Sequence, residues 1–131
     1  MVIRDLVLID TCIWVMFFNR PQSSDKRAVD GLLDDDRAAL VGPILTEILL
    51  GFRRDEYADW VASELRGLHF LDIVWDEWRA AAKLGRLLLA NGNAVPQTDL
   101  VIAAVALERD ITVYSSDPHF DLFPELRRFQ S

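Results

Sequence analysis

Residues 6–14 read Leu6-Val7-Leu8-Ile9-Asp10-Thr11-Cys12-Ile13-Trp14. A short apolar run without alternation, stopped by an acid, is the pattern of a strand buried on both faces, the habit of parallel sheets. The theme recurs along the chain. Ala38-Ala39-Leu40-Val41, stopped by Gly42-Pro43, reads as a second strand. A third lies near Phe70-Leu71-Asp72-Ile73-Val74, and a fourth at Ile111-Thr112-Val113-Tyr114. Helical patterns fill the gaps. One starts beside Ser24 or Asp25 and reaches Leu33. Pro43 opens the next, with Ile44, Leu45, Ile48, Leu49 and Phe52 on one face. Asp55 is placed to cap a helix through Leu65. Asp76 is placed to cap a long one through Leu89, with Asn91-Gly92 as its stop. A last helix runs from Thr98 to near Glu108. Strands alternating with helices predict an α/β fold: a three-layer α/β/α sandwich with a mainly parallel central sheet.

That architecture directs attention to one edge of the sheet. Asp10 follows the first strand, so it stands at that strand's carboxyl end. Glu47 lies in the first turns of the helix leaving the second strand, which begins at the same edge. Asp99 lies at the start of a helix that runs back antiparallel to the sheet, so it too belongs to this rim. Asp117 comes just after the fourth strand. In open α/β sheets ligands bind at the carboxyl rim. Ionised carboxyl groups this close repel and raise one another's pKa. A hard divalent cation with oxygen ligands compensates them, and such an ion both activates water and stabilises the leaving oxygen of a phosphodiester. Asp99 shares its helix face with Ala103 and Ala106, whose small side chains let the helix approach the sheet closely.

Each acid also has an ordinary role open to it. Asp10 can cap a helix starting at Thr11. Glu47 can favour a helix amino end through the dipole, Asp99 or Thr98 can be an N-cap, and Asp117 before Pro118 can be turn chemistry. His119 has the chemistry to bind metal, but reads first as a lone surface histidine near a turn; His69, in an apolar context, reads as structural. Cys12 lacks a base partner, so a catalytic thiol is not expected. The four tryptophans, Trp14, Trp60, Trp75 and Trp78, read as core or interface, Trp14 being nearest to Asp10. The Asp34-Asp35-Asp36 run reads as a solvated loop. Lys83 and Arg86 share a helix face that is either solvated or able to steer phosphates.

The chain has 131 residues, 51% of them hydrophobic, enough for a core without staples. A single cysteine excludes an internal disulfide and fits a reducing compartment. Asp5 and Asp10 interrupt the apolar stretch that a signal peptide would need, and no charge-free run approaches the roughly 20 residues of a membrane span. The expectation is a soluble, cytoplasmic protein. A net charge of −7 argues against a passive nucleic-acid binder, which carries a basic face. An enzyme that holds cations on gathered carboxylates escapes that objection, because the ions reverse the local field.

The motifs together carry a resemblance. Asp10-Thr11-Cys12-Ile13-Trp14 resembles the opening of PIN-domain proteins. Thr46-Glu47-Ile48-Leu49-Leu50-Gly51 resembles their second acidic motif, and Asp99-Leu100-Val101-Ile102-Ala103-Ala104 the third. Ser115-Ser116-Asp117-Pro118-His119-Phe120 resembles the fourth. Size and motif order are similar to the bacterial VapC toxins of type II toxin–antitoxin pairs. The resemblance implies one PIN-like domain over residues 1–131 and a metal-dependent endoribonuclease using Mg2+ or Mn2+. It further implies a homodimer neutralised by a VapB-type antitoxin whose basic tail enters the acidic cleft. By the resemblance, Asp10, Glu47 and Asp99 bind metal, Asp117 supports it, and Thr11 and Ser115 are hydroxyl supports. The chain departs from the pattern at Cys12, where the family often has Ser or Asn, and at His119, where it often has an acid. Those departures motivate an alternative: a catalytically weak module whose acidic pocket binds a basic protein partner. A phosphatase or phospho-receiver ranks last, since Cys12 stands where the phosphatase needs a second Asp and Ser115-Ser116-Asp117 offers no lysine.

Overall fold

The computed structural model describes residues 5–130. Its elements follow in the order β1 (Val7–Ile9), α1 (Thr11–Asn19), α2 (Ser24–Asp34), β2 (Ala38–Val41), α3 (Gly42–Leu50) and α4 (Asp55–Leu65). Then come β3 (His69–Leu71), α5 (Trp75–Ala90), α6 (Gln97–Arg109), β4 (Thr112–Tyr114) and a short 3-10 helix (Pro118–Leu122). The strands form one parallel sheet in the order β3-β2-β1-β4. Val7, Leu8 and Ile9 are wholly buried, as are Ala39 and Val41, which is why these strands read as unbroken apolar runs. The expected α/β/α sandwich is therefore present. The first two crossovers step from β1 to β2 and on to β3; the third returns past β1 to β4. With right-handed crossovers that reversal puts α1–α4 on one face and α5 and α6 on the other. It also makes the boundary between β1 and β4 the switch point of the sheet.

Element bounds moved where side-chain capping lost to other partners. The helix expected to start on Asp55 as a cap instead takes Arg54 as N-cap, with no side-chain cap bond, and Asp55 falls in the first turn. Asp76 likewise lies inside α5. There Glu77 Oε1 accepts the Val74 N–H at 3.0 Å and so closes the helix start from within. The third strand lies earlier than expected, at His69–Leu71. Its pairing runs only from His69 against Ala39 to Leu71 against Val41. Asn91 and Gly92 end α5 as expected, Gly92 with φ +84°, the left-handed conformation that suits glycine.

Two packing features position α6. Its middle, Val101 through Ala106, is buried, and the run of alanines there lets it lie close on the sheet. Gly85 faces it from α5, where an added Cβ would stand 2.8 Å from Leu100 Cδ1, next to Asp99. At the far end, Arg109 grips Glu77 through two hydrogen bonds of 2.6 and 2.7 Å and also donates to the Asp72 carbonyl. Glu77 is only 4% exposed, and the Arg109 hydrogen bonds hold its pKa below the ordinary value.

Trp14 is the one tryptophan in the core. It stacks edge-on against Phe17 at 5.4 Å and lies over Phe18 at 6.1 Å. Trp60, Trp75 and Trp78 are exposed, so the core reading fails for them. His69 is half-exposed at the sheet edge, its Nε2 3.0 Å from the Asp36 carboxylate and carbonyl. Asp36, at the end of the acidic run, turns the chain with φ +57°. Among the described residues, no helix is long and apolar enough to cross a membrane.

Candidate active site

Asp10 is the hinge between β1 and α1. Its backbone N–H donates to the Tyr114 carbonyl of β4 at 2.9 Å, which ties it to the switch point. Its carboxylate caps α1 by accepting the Thr11 N–H on Oδ1 at 2.8 Å. Oδ2 accepts the Ser115 hydroxyl at 2.7 Å and lies 3.5 Å from the Cys12 thiol. Ser115 Oγ in turn accepts the Asp117 N–H at 3.0 Å, so one hydroxyl couples the ends of β1 and β4. Capping therefore does not exclude Asp10 from the acidic cluster: the carboxylate that caps α1 also stands among the other acids. The same holds for Asp117, which accepts the His119 N–H at 2.9 Å and caps the 3-10 helix.

Asp99 is no N-cap. The helix begins two residues earlier, with Pro96 as N-cap, which leaves the Asp99 side chain free of backbone duty. It is 7% exposed and faces the other acids. Its pKa is raised, first by burial; Asp117 and Asp10 add to the rise, and the His119 hydrogen bond opposes it. Glu47 projects from α3 beside the groove formed by Trp14, Phe18, Ile48 and Gly51. Although its side chain reaches solvent, its pKa is also raised, first by lost hydration, then by Asp10 and Asp99. All four sequence-predicted acids therefore meet at one rim of the sheet, where Glu47 feels the charge of Asp10 and Asp99, and Asp99 that of Asp117 and Asp10.

The residue that the sequence reading misplaced is His119. It is not an isolated surface histidine: Nδ1 lies 2.9 Å from Asp99 Oδ2 and 3.0 Å from Asp117 Oδ1. The spacing Asp117-Pro118-His119 carried the signal, since a turn locked by proline presents both side chains together. Lys83 and Arg86 line a separate shallow cleft with Asp76, Arg79 and Glu108, so they do not join the acids.

The donor set fits a divalent cation. Carboxylate oxygens crowd together with two raised pKa values, which is the strain that a cation relieves. The Thr11 hydroxyl lies near enough to Glu47 to offset part of its rise, yet its buried Oγ1 makes no hydrogen bond of normal geometry. One carboxylate oxygen each from Asp99 and Asp117 and a ring nitrogen of His119 lie within 4.8 Å of one another.

Comparison with known proteins agrees with this geometry. The family profile described as PIN domain matches residues 7–126. The chain belongs to the PIN domain family. Among curated relatives, this PIN domain is 30% identical over 132 aligned residues to VapC ribonuclease Mb1587 of Mycobacterium bovis, covering 96% of this chain and 97% of that protein. Ribonuclease VapC11 of Mycobacterium tuberculosis matches with the same identity and coverage. In fold it is similar to a solved VapBC2 complex of Rickettsia felis bound to a promoter DNA fragment. That match has a TM-score of 0.80 at 20% identity, covering 95% of this chain and 97% of the other.

Proposed function

We propose that this PIN domain is a metal-dependent endoribonuclease that hydrolyses RNA phosphodiester bonds, the toxin of a toxin–antitoxin pair. The convergence of Asp10, Glu47, Asp99 and Asp117 at the switch point carries the reading; the VapC ribonucleases similar over nearly the whole chain support it. These four carboxylates would hold Mg2+ or Mn2+. When bound, such an ion supplies positive charge for the scissile phosphate and activates water as the nucleophile. The chain's own part is orientation. The Thr11 N–H and the Ser115 hydroxyl hold both oxygens of Asp10, so its remaining lone pairs point in fixed directions. Ser115 passes the same order to Asp117 through its backbone. Burial of Asp99 keeps water from screening the site.

A VapB-type antitoxin is the proposed partner, with a basic segment entering the acidic cleft of a homodimer in the cytoplasm. The net charge of −7 favours a cationic peptide there. RNA cleavage by the purified protein is expected to need added Mg2+ or Mn2+, to stop with a chelator, and to fall in Asp10→Ala by on the order of 10³-fold, the several kcal/mol that such an ion supplies. A gel assay with the variant purified in parallel measures it. Cleavage that persists in chelator and in the variant would count against the proposal.

A further inference from the structure

The geometry points to His119 as a further metal ligand, one that biases this site towards first-row transition ions such as Mn2+, Co2+ or Zn2+ over Mg2+. The inference deepens the preceding reading and rests on it for the presence of a cation.

Three observations carry it. The first is distance. His119 Nδ1 stands 2.9 Å from Asp99 Oδ2 and 3.0 Å from Asp117 Oδ1. In an octahedral shell with bonds of about 2.1 Å, neighbouring ligand atoms are about 3 Å apart, the bond length times the square root of two. The imidazole nitrogen is thus spaced from both carboxylates as a neighbouring ligand would be. The second is chemistry at that nitrogen. An imidazole nitrogen that carries no hydrogen offers its lone pair to a metal, and either ring nitrogen can be that one. Flanked by two carboxylates, a lone pair at Nδ1 would complete a three-donor set with them. The third is construction. Asp117 and His119 flank Pro118 at the start of the 3-10 helix, and Asp117 Oδ1 accepts the His119 N–H at 2.9 Å. One rigid turn therefore presents both donors, and buried Asp99 supplies the third from α6. The His119 side chain is 38% exposed, open enough for an ion to reach it from solvent.

Magnesium takes oxygen ligands and gives up its waters reluctantly, while imidazole raises affinity along the Irving–Williams series. A set of two carboxylates and one imidazole is accordingly better suited to a transition ion than a set of oxygens alone.

The probe is Mn2+ on the full chain without RNA, so metal binding is read apart from catalysis. Pulsed electron paramagnetic resonance of bound Mn2+ is expected to show coupling to an imidazole nitrogen. The chain has two histidines. His69→Gln should keep the signal and His119→Asp should lose it while still binding Mn2+. In competition with Mg2+, His119→Asp should lower the preference for Mn2+ by roughly 10-fold or more. Bound Mn2+ without nitrogen coupling in the wild type overturns the inference, whatever the variants do. So does coupling that disappears with His69→Gln, or an unchanged preference in His119→Asp. If no Mn2+ binds at all, both this inference and the metal-dependent reading fall. Nitrogen-coupled Mn2+ in a protein that leaves RNA intact sinks the nuclease reading alone.

Discussion

Asp99→Asn is expected to abolish RNA cleavage and, in the metal-free protein, to increase stability. The activity loss follows from removing a buried carboxylate that faces the cation site, at a cost of several kcal/mol or roughly 10³-fold. The stability gain follows from the raised pKa of Asp99, caused first by burial and then opposed by His119. A carboxyl whose folded pKa exceeds its unfolded value is more costly to ionise in the fold. Below the unfolded value there is no penalty. As pH rises through the raised folded value the penalty develops, and it is complete above. Asn keeps the shape and an acceptor for His119 without the charge. The gap in unfolding free energy between variant and wild type, read from urea titrations, should therefore be small near pH 4, widen towards neutrality, and reach on the order of 1 kcal/mol, a few degrees in Tm for a chain this size. Saturating Mn2+ should reverse the order, since a ligand at 100 times its Kd stabilises by about 2.7 kcal/mol and the variant forfeits much of that. A metal-free variant less stable than wild type at neutral pH, or one equally stabilised by Mn2+, would contradict this account.

Glu77→Ala is expected to destabilise the protein by about 3 kcal/mol while leaving catalysis per folded molecule intact. The variant strands two groups at once. Arg109 loses both carboxylate bonds, and the Val74 N–H loses its cap. Breaking one side of a buried pair costs about 3–5 kcal/mol, and the part-exposed Arg109 puts this case at the lower end. Glu77→Gln, which retains an acceptor, should lose less. The folded pKa of Glu77 is lowered, so its stabilisation is present above the unfolded carboxylate value and fades as pH falls through the folded one. The difference between wild type and Glu77→Ala should thus shrink on acidification, as the Asp99→Asn gap does, but with the opposite sign: here the variant is the less stable protein. Urea titrations at several pH values measure both, and a loss below about 1 kcal/mol at neutral pH would refute the role given to this pair.

The two variants probe opposite ends of one helix. Arg109 anchors the carboxyl end of α6 to the start of α5, and Asp99 stands in its first turn at the rim. Between them the buried alanines and Gly85 of α5 fix how near the helix lies to its neighbours. Stability of the fold and placement of the site acid are consequently linked through a single rigid element, although the groups concerned have opposite electrostatic characters.

Local sequence alone determined the alternation of strands and helices, because Val7-Leu8-Ile9 and Ala38-Ala39-Leu40-Val41 are buried on both faces and have no polar residues to hide. It also determined that Asp10, Glu47, Asp99 and Asp117 share a rim, since in a parallel α/β unit an acid's place before or after a strand decides the edge it reaches. Helix starts were less legible. Asp55 and Asp76 have the chemistry of caps, but the start of α5 is closed by Glu77, whose conformation depends on Arg109, 32 residues away. The sequence sets His119 on one turn with Asp117, but its contact with Asp99 was decided by the tertiary structure alone. Its Nδ1 gains meaning only from Asp99, 20 residues earlier on another helix, and no periodicity encodes a contact between two elements that meet across the end of a sheet.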